Sequence, residues 1–130
     1  MVIDTSAVMA VLLGEPQRGA IESLMQAGPC RISAATQVEL ALVAEGRSGP
    51  EGARIVEEFI DRFDIDVVPV DARMARTAIN GWRRYGKGRH PAGLNFGDCF
   101  SYALAVELDE SLLFVGDDFS KTDVGSALGK

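Results

Sequence analysis

The stretch Met1-Val2-Ile3-Asp4-Thr5-Ser6-Ala7 decides the fold, because an apolar segment runs directly into an acid and two hydroxyl residues. The apolar residues predict a short buried strand that ends at Asp4. Thr5 and Ser6 are both suited to capping a helix, which we expect to reach about Leu13. A buried strand that leads directly into a helix is typical of an α/β fold.

Strands and helices alternate along the rest of the sequence. After the first helix we predict helices over residues 16–27, 34–45, 53–63, 72–85 and 96–108. We predict further strands over 30–33, 65–70 and 112–115, and a last short strand near Val124. Strands that are apolar throughout are typical of a parallel sheet covered on both faces. The sequence therefore predicts a single α/β domain over 1–130, with a parallel central sheet of four to five strands and helices on both faces.

The composition is that of a folded domain. An apolar fraction of 47% over 130 residues is enough for a core and argues against disorder. No run of about 18 apolar residues occurs, and Asp4 interrupts the apolar N-terminal stretch, so we expect neither a membrane span nor a signal peptide. Cys30 and Cys99 each lie in an apolar segment. We interpret both as buried thiols of a cytoplasmic protein rather than as a disulfide.

Basic residues are concentrated in one short stretch, although the net charge is −6. The strip contains no acid and comprises Arg83, Arg84, Lys87 and Arg89. Such a strip can bind a polyanion, so the net charge does not exclude a nucleic-acid partner. Trp82 and Tyr85 beside it are suited either to stacking on bases or to packing in the core. We expect His90 to be a solvated loop residue rather than a general base.

Acids follow or interrupt apolar segments at Asp4, Glu39, Asp98, Asp117 and Asp118. Glu39 lies within the apolar run 38–43, and Asp98 is the one charged residue between positions 90 and 106. Carboxylates are costly to bury without compensation, and ligands bind beyond the carboxyl ends of parallel strands. We therefore expect these acids to converge. Hard oxygen ligands suit Mg²⁺ or Mn²⁺, so the pattern predicts a metal-dependent site that cleaves phosphodiesters.

Each acid also has a purely structural interpretation. Asp4 is suited to capping the first helix, and Asp98 to the first turn of a helix. Thr36 and Glu39 would form a capping box if their helix began at Thr36. The aspartates at 117–118 are suited to a turn. The occurrence of all these acids at the ends of apolar elements favours the functional interpretation.

The same segments resemble a known family. They are Val2-Ile3-Asp4-Thr5-Ser6-Ala7, Val38-Glu39-Leu40, Asn95-Phe96-Gly97-Asp98-Cys99 and Val115-Gly116-Asp117-Asp118-Phe119-Ser120-Lys121-Thr122-Asp123. In order and spacing they resemble PIN-domain ribonucleases and, more narrowly, the VapC toxins of bacterial toxin–antitoxin pairs. The resemblance implies a PIN-like nuclease domain over 1–130 that cleaves RNA with Mg²⁺ or Mn²⁺. It also implies a homodimer and a VapB-type antitoxin.

The resemblance assigns roles to individual residues. It implies metal binding by Asp4 and Asp98, places Glu39 beside them, and leaves the fourth acid as either Asp117 or Asp118. For Thr5 and Ser6 two roles stay open, a hydroxyl near the metal and substrate, or capping alone. In the expected mechanism the metal lowers the pKa of an attacking water, and cleavage leaves a 5′-phosphate and a 3′-hydroxyl. The strip 83–89 would contact RNA phosphates.

Three other functions are compatible with parts of this pattern. A housekeeping PIN-domain nuclease for RNA processing would carry the same acids. A receiver-type signalling domain also gathers acids around Mg²⁺ at strand ends. It would need paired acids after the first strand, where this chain has Asp4 alone. A binding module would use the acids only to dock a basic partner.

Overall fold

The central sheet of this computed structural model, which describes residues 1–129, is parallel. Within those residues it has four strands: β1 (Val2–Ile3), β2 (Arg31–Ser33), β3 (Asp66–Val68) and β4 (Leu112–Leu113). Their order is β3-β2-β1-β4. Val2 pairs with Arg31 on one side and with Leu112 on the other. The predicted parallel α/β sheet is confirmed, and the residue that follows β1 lies near its centre.

Helices cover both faces of the sheet, as predicted. They are α1 (Thr5–Leu12), α2 (Arg18–Ala27), α3 (Ala34–Ser48), α4 (Glu51–Arg62), α5 (Ala72–Tyr85) and α6 (Phe96–Leu108). Successive strand residues point to opposite faces. Accordingly, Ile3 and Leu113 belong to a core cluster with α1 to α4, whereas Val2 and Leu112 belong to a second cluster with α5 and α6.

The start of α1 decides among the three capping residues that the sequence left open. Asp4, and not Thr5 or Ser6, is the N-cap: its backbone is extended, and its side chain accepts a hydrogen bond from the Ser6 N–H. Thr5 and Ser6 instead lie in the first turn. The reason is that β1 is short and α1 begins at once, so Asp4 is the junction residue. At the start of α5 the cap is Asp71, whose side chain accepts a hydrogen bond from the Met74 N–H.

Several other boundaries differ from the prediction. α3 continues to Ser48, so the predicted loop 46–52 is reduced to Gly49-Pro50. Gly49 has a φ of 70°, a conformation that favours glycine and ends the helix. α2 begins at Arg18, later than predicted. Val124 lies outside any strand, and Leu112 instead forms a bridge with Ser126.

Two predictions about the environment of the chain can be compared with the structure. Cys30 and Cys99 are both buried and free, as expected. None of the helices formed by residues 1–129 has the length and apolar character needed to span a bilayer.

Candidate active site

Asp4 is the most deeply buried of the predicted site acids, with 3% of its surface exposed. Its Oδ2 atom accepts hydrogen bonds from the Ser6 N–H at 3.0 Å and from the Ser6 hydroxyl at 2.7 Å. Its Oδ1 atom accepts a hydrogen bond from the Ser101 hydroxyl at 2.6 Å. The carboxylate is therefore held on both oxygens directly beyond the carboxyl end of β1.

Asp98 lies in the first turn of α6, where it forms a capping box. The Asn95 side chain accepts from the Asp98 N–H at 2.9 Å, and Asp98 Oδ2 accepts from the Asn95 N–H at 3.1 Å. Burial raises the pKa of Asp98 to about 7; the Asn95 hydrogen bond lowers it, and repulsion by Asp4, Asp118 and Glu39 raises it. The capping interpretation is thus correct, and the same carboxylate faces the other acids.

Glu39 reaches the site from the side of α3. Its Oε1 atom accepts a hydrogen bond from the Thr5 hydroxyl at 2.6 Å. Its carboxylate also lies against Gly97, where an added Cβ atom would overlap it. The capping box with Thr36 is absent from the described residues, because Ser33 caps α3 and Thr36 is buried inside the helix. Glu39 therefore lies between the starts of α1 and α6.

Asp117 and Asp118 are both exposed, but they have different neighbours. Asp118 contributes to the repulsion that raises the pKa of Asp98. Asp117 lines a cavity of about 350 Å³ together with Gly116 and Ser120. Asp118 thus lies near enough to Asp98 to repel its charge, whereas Asp117 lies towards the C-terminal segment.

Comparison with known proteins identifies the family to which this arrangement belongs. The family profile of the PIN domain matches residues 1–125. Ribonuclease VapC of Mycolicibacterium smegmatis is 47% identical over 127 residues, which are 97% of this chain and 98% of that protein. Ribonuclease VapC30 of Mycobacterium tuberculosis is 46% identical, with 97% of each chain covered. The chain belongs to the VapC ribonucleases of the PIN-domain family.

Two solved structures share the fold. VapC20 of Mycobacterium tuberculosis, described as a toxin that cleaves the sarcin-ricin loop, has a TM-score of 0.75 at 20% identity and 95% coverage of both chains. A toxin–antitoxin complex from Klebsiella pneumoniae has a TM-score of 0.68 at 17% identity, covering 97% of this chain and 94% of that one. The predicted resemblance to the PIN-domain family is confirmed, and the receiver-type alternative is excluded.

In this PIN domain the site acids accept hydrogen bonds from groups of the same chain. Among residues 1–129, no group of three or more His, Cys, Asp or Glu side chains is arranged to hold a metal ion. Asp4 accepts from serine hydroxyls, Glu39 from Thr5, and Asp98 from a backbone N–H. The donor set nevertheless consists of carboxylate oxygens, which suit a hard divalent cation. A cation would also offset the repulsion among these carboxylates.

In the basic strip of this PIN domain, Arg84 and Arg89 interact with other side chains of the protein. Arg84 lies 3.3 Å from Asp123 and donates to the Tyr85 hydroxyl at 2.9 Å. The Arg89 guanidinium lies over the Trp82 ring, 4.2 Å from its centroid. The strip has no acid in sequence, but the fold brings Asp123 to it.

The aromatic and imidazole side chains near the strip have different environments. Trp82 is 40% exposed and Arg89 lies over its ring, so it is neither a core residue nor a ring that is fully open to bases. Tyr85 is buried and meets His90 and Tyr102 edge-on, which rules out stacking of Tyr85 on bases. His90 is half-buried and its Nδ1 atom accepts from the Ala92 N–H at 3.0 Å, so it is not the solvated loop residue that we predicted.

Ser101 and Thr36 are site residues that the sequence did not reveal. Both are fully buried, and their hydroxyl oxygens are 3.3 Å apart. A serine inside the apolar helix α6 resembles any small core residue. The available signal was its position three residues after Asp98, which places both on the same face of the helix.

An exposed apolar rim lies beside the acids. It consists of Val38, Leu42, Val43, Ile79, Trp82 and Phe96, of which Phe96 is 81% exposed. The apolar run 38–43 favours a buried α3, but Val38 is 59% and Leu42 66% exposed. The apolar pattern of α3 does not correspond to burial within this chain.

Proposed function

We propose that this chain is a divalent-metal-dependent endoribonuclease that acts as the toxin of a VapBC-type toxin–antitoxin pair. The observation that carries the proposal is the proximity of three acids: Thr5, next to Asp4, donates to Glu39, and the Glu39 carboxylate lies against Gly97, next to Asp98. Asp118 adds to the repulsion that acts on Asp98. Such a set of carboxylates suits Mg²⁺ or Mn²⁺. Relatives that are named Ribonuclease VapC support RNA as the substrate. The cytoplasm is the proposed place of action.

The proposed roles of the acids follow from their environments. Asp4 and Asp98 would hold the cation, and Glu39 and Asp118 lie where they can add negative charge to the site. When bound, the cation makes water a stronger acid and offsets negative charge on the phosphodiester. Thr5 donates to one oxygen of the Glu39 carboxylate. Among the described residues no group donates to its other oxygen, so this oxygen can orient the attacking water.

In-line attack by water on the phosphodiester breaks the bond to the 3′-oxygen and leaves a 5′-phosphate and a 3′-hydroxyl. His90 takes no part in this step, because its ring packs against Tyr85 and its Nδ1 atom accepts from the Ala92 N–H. The protons that the reaction moves are therefore carried by water and by the carboxylates.

RNA would follow the basic strip into the acidic cleft. Arg83, Lys87 and Arg89 are exposed and supply positive charge, and Arg84 does so from its pair with Asp123. The hydroxyls of Thr5 and Ser6 donate to Glu39 and Asp4. We therefore propose that they influence RNA through these acids.

The proposed protein partners are a VapB-type antitoxin and a second copy of this chain. An acidic cleft attracts a positively charged group. An arginine of the antitoxin would form two parallel hydrogen bonds with a carboxylate of the cleft. A homodimer would cover the apolar rim, whose exposed Phe96 and Leu42 would otherwise contact water.

The test is induction of the chain in a bacterial host, followed by mapping of RNA ends. We expect growth arrest, new 5′-phosphate ends, and relief by co-expression of a small antitoxin gene from the same locus. Asp98→Asn should produce neither arrest nor new ends. New ends confined to precursor RNAs, without arrest, would favour the housekeeping nuclease. Undiminished cleavage by Asp98→Asn would contradict the proposed centre.

A further inference from the structure

Ser101 is a buried serine in the middle of α6 whose hydroxyl leaves its own helix. A serine inside a helix ordinarily donates to a carbonyl one turn earlier. Here the hydroxyl donates to Asp4 Oδ1 at 2.6 Å, and the two residues are 97 positions apart in the chain. Ser101 has no exposed surface, so packing alone would be satisfied by alanine. The presence of a hydroxyl at position 101 is therefore explained by its hydrogen bond to the Asp4 carboxylate and not by the needs of α6.

The direction of the hydrogen bonds behind Ser101 follows from the number of protons. The Ser101 hydroxyl has one proton, and the Asp4 carboxylate takes it. The Ser101 oxygen must then accept from the Thr36 hydroxyl, 3.3 Å away. Thr36 is 1% exposed, so this donor is also shielded from water. Donors that are arranged in series strengthen one another in a low-dielectric interior.

The other oxygen of Asp4 is held in the same manner. The Ser6 hydroxyl donates to Asp4 Oδ2 at 2.7 Å, and the Ser6 oxygen accepts from the Val115 N–H at 3.0 Å. Each oxygen of the carboxylate thus meets a serine hydroxyl that has a second donor behind it. This arrangement fixes the plane of the carboxylate and leaves a further lone pair on Oδ1, which accepts from Ser101 alone, whereas Oδ2 accepts two hydrogen bonds from Ser6.

We propose that Ser101, supported by Thr36, is a positioning residue that orients Asp4 for the cation. The proposal rests on the proposed function, because Asp4 is one of the residues that would hold the ion. Without the Ser101 hydroxyl, Oδ1 would be a buried acceptor with no partner, and the carboxylate would turn to recover one. Partners of metal-binding carboxylates set ligand orientation and hence metal affinity.

The experiment measures Mn²⁺ binding by the spin-resonance signal of the free ion, with no RNA present. Ser101→Ala should weaken binding about tenfold or more, in the range usual for such partners. Thr36→Val keeps the shape of the side chain but loses its hydroxyl, and should weaken binding by a smaller factor. Thr36→Ser keeps the hydroxyl and should bind within about twofold of the wild type, a factor that corresponds to less than half a kcal/mol.

Ser33→Ala is the matched control. Ser33 is also a buried serine, but its hydroxyl accepts from the Ala35 N–H and caps α3. Its loss should lower the thermal midpoint without changing Mn²⁺ affinity. Equal weakening of Mn²⁺ binding by Ser33→Ala and Ser101→Ala would show a general loss of structure and overturn the positioning role.

Asp4→Asn separates this inference from the proposed function. If Asp4→Asn abolishes Mn²⁺ binding while Ser101→Ala leaves it unchanged, Ser101 has no positioning role and the metal centre stands. If Asp4→Asn itself leaves Mn²⁺ binding unchanged, the metal centre is wrong and the role of Ser101 is lost with it. Loss with Asp4→Asn and graded weakening with Ser101→Ala and Thr36→Val would support both.

Discussion

Asp4 and Asp98 differ in how the protein compensates their charge. Asp4 is 3% exposed, and serine hydroxyls and a backbone N–H donate to both of its oxygens. Asp98 is only half-buried, but it receives a backbone N–H on one oxygen and faces Asp4, Asp118 and Glu39. The pKa of Asp98 is raised to about 7. The two carboxylates are therefore compensated differently: hydrogen-bond donors meet both oxygens of Asp4, whereas burial and neighbouring acids disfavour the charge of Asp98.

The two acids would therefore differ as ligands of the proposed cation. Asp4 is oriented by the hydrogen bonds that both of its oxygens accept. The charge of Asp98 depends on its surroundings, because neighbouring acids disfavour its ionised form. A cation would remove that disadvantage and couple its own binding to the release of a proton.

The largest expected effect is on cleavage, where the two acids should behave alike. Asp4→Asn and Asp98→Asn should each lower the rate of RNA cleavage about 1000-fold or more, because a cation supplies several kcal/mol of transition-state stabilisation. The measurement is single-turnover cleavage at saturating Mg²⁺. A variant that retains a rate within tenfold of the wild type would remove that residue from the centre.

Stability should separate the two substitutions. Asp4→Asn turns an amide N–H₂ towards donors in a buried site, and should lower the free energy of unfolding by about 1–3 kcal/mol. Asp98→Asn removes a charge that its neighbours repel, and should leave the free energy unchanged or raise it. Denaturant unfolding in the presence of a chelator measures both. Equal destabilisation by the two variants would contradict the distinction drawn here.

The raised pKa of Asp98 predicts a pH dependence of stability. Between its ordinary value of 3.8 and about 7, the folded state keeps a proton that the unfolded state has lost. The contribution of Asp98 to the free energy of unfolding is thus fully present below about pH 3.8 and is lost as the pH rises towards about 7. Because Asp98 is partly exposed, we expect roughly 1–2 kcal/mol after allowance for solvent screening. The difference in unfolding free energy between wild type and Asp98→Asn, measured across this range without metal, isolates the contribution.

The smallest predicted effect distinguishes the two adjacent aspartates. Asp118→Asn removes one of the charges that raise the pKa of Asp98, so the fall in stability with pH should become shallower. Asp117→Asn is the matched control, since Asp117 lines the cavity next to Gly116 and Ser120. The readout is again unfolding across pH without metal. A change with Asp117→Asn and none with Asp118→Asn would reverse the assignment of the fourth acid.

The sequence predicted the sheet and the position of its acids well, because both depend on local pattern. An apolar strand followed directly by Asp4, and another apolar segment followed after Gly116 by residues 117–118, are visible along the chain. The link between Ser101 and Asp4 joins residues 97 positions apart and depends on how α6 packs against β1. No local pattern encodes that contact.

Two features of the fold differ from what the sequence pattern suggested, and they have the same physical origin. The apolar residues Val38 and Leu42 suggested a buried α3, yet both are exposed. The strip 83–89 lacked an acid in sequence, yet Arg84 meets Asp123. Hydropathy and charge patterns describe what a residue prefers to contact. The fold decides which partner is available, and whether it belongs to the same chain.

The brevity of β1 makes the position of Asp4 depend on both core clusters at once. Val2 packs on the side of α5 and α6, and Ile3 on the side of α1 to α4. A register slip by one residue would exchange these two side chains between faces and carry Asp4 about 3.3 Å along the sheet. Ser101, 2.6 Å away in the observed register, would then be out of reach. Because Val2 and Ile3 differ in size and pack into different core clusters, together they fix the register of β1 and hence the position of the Asp4 carboxylate.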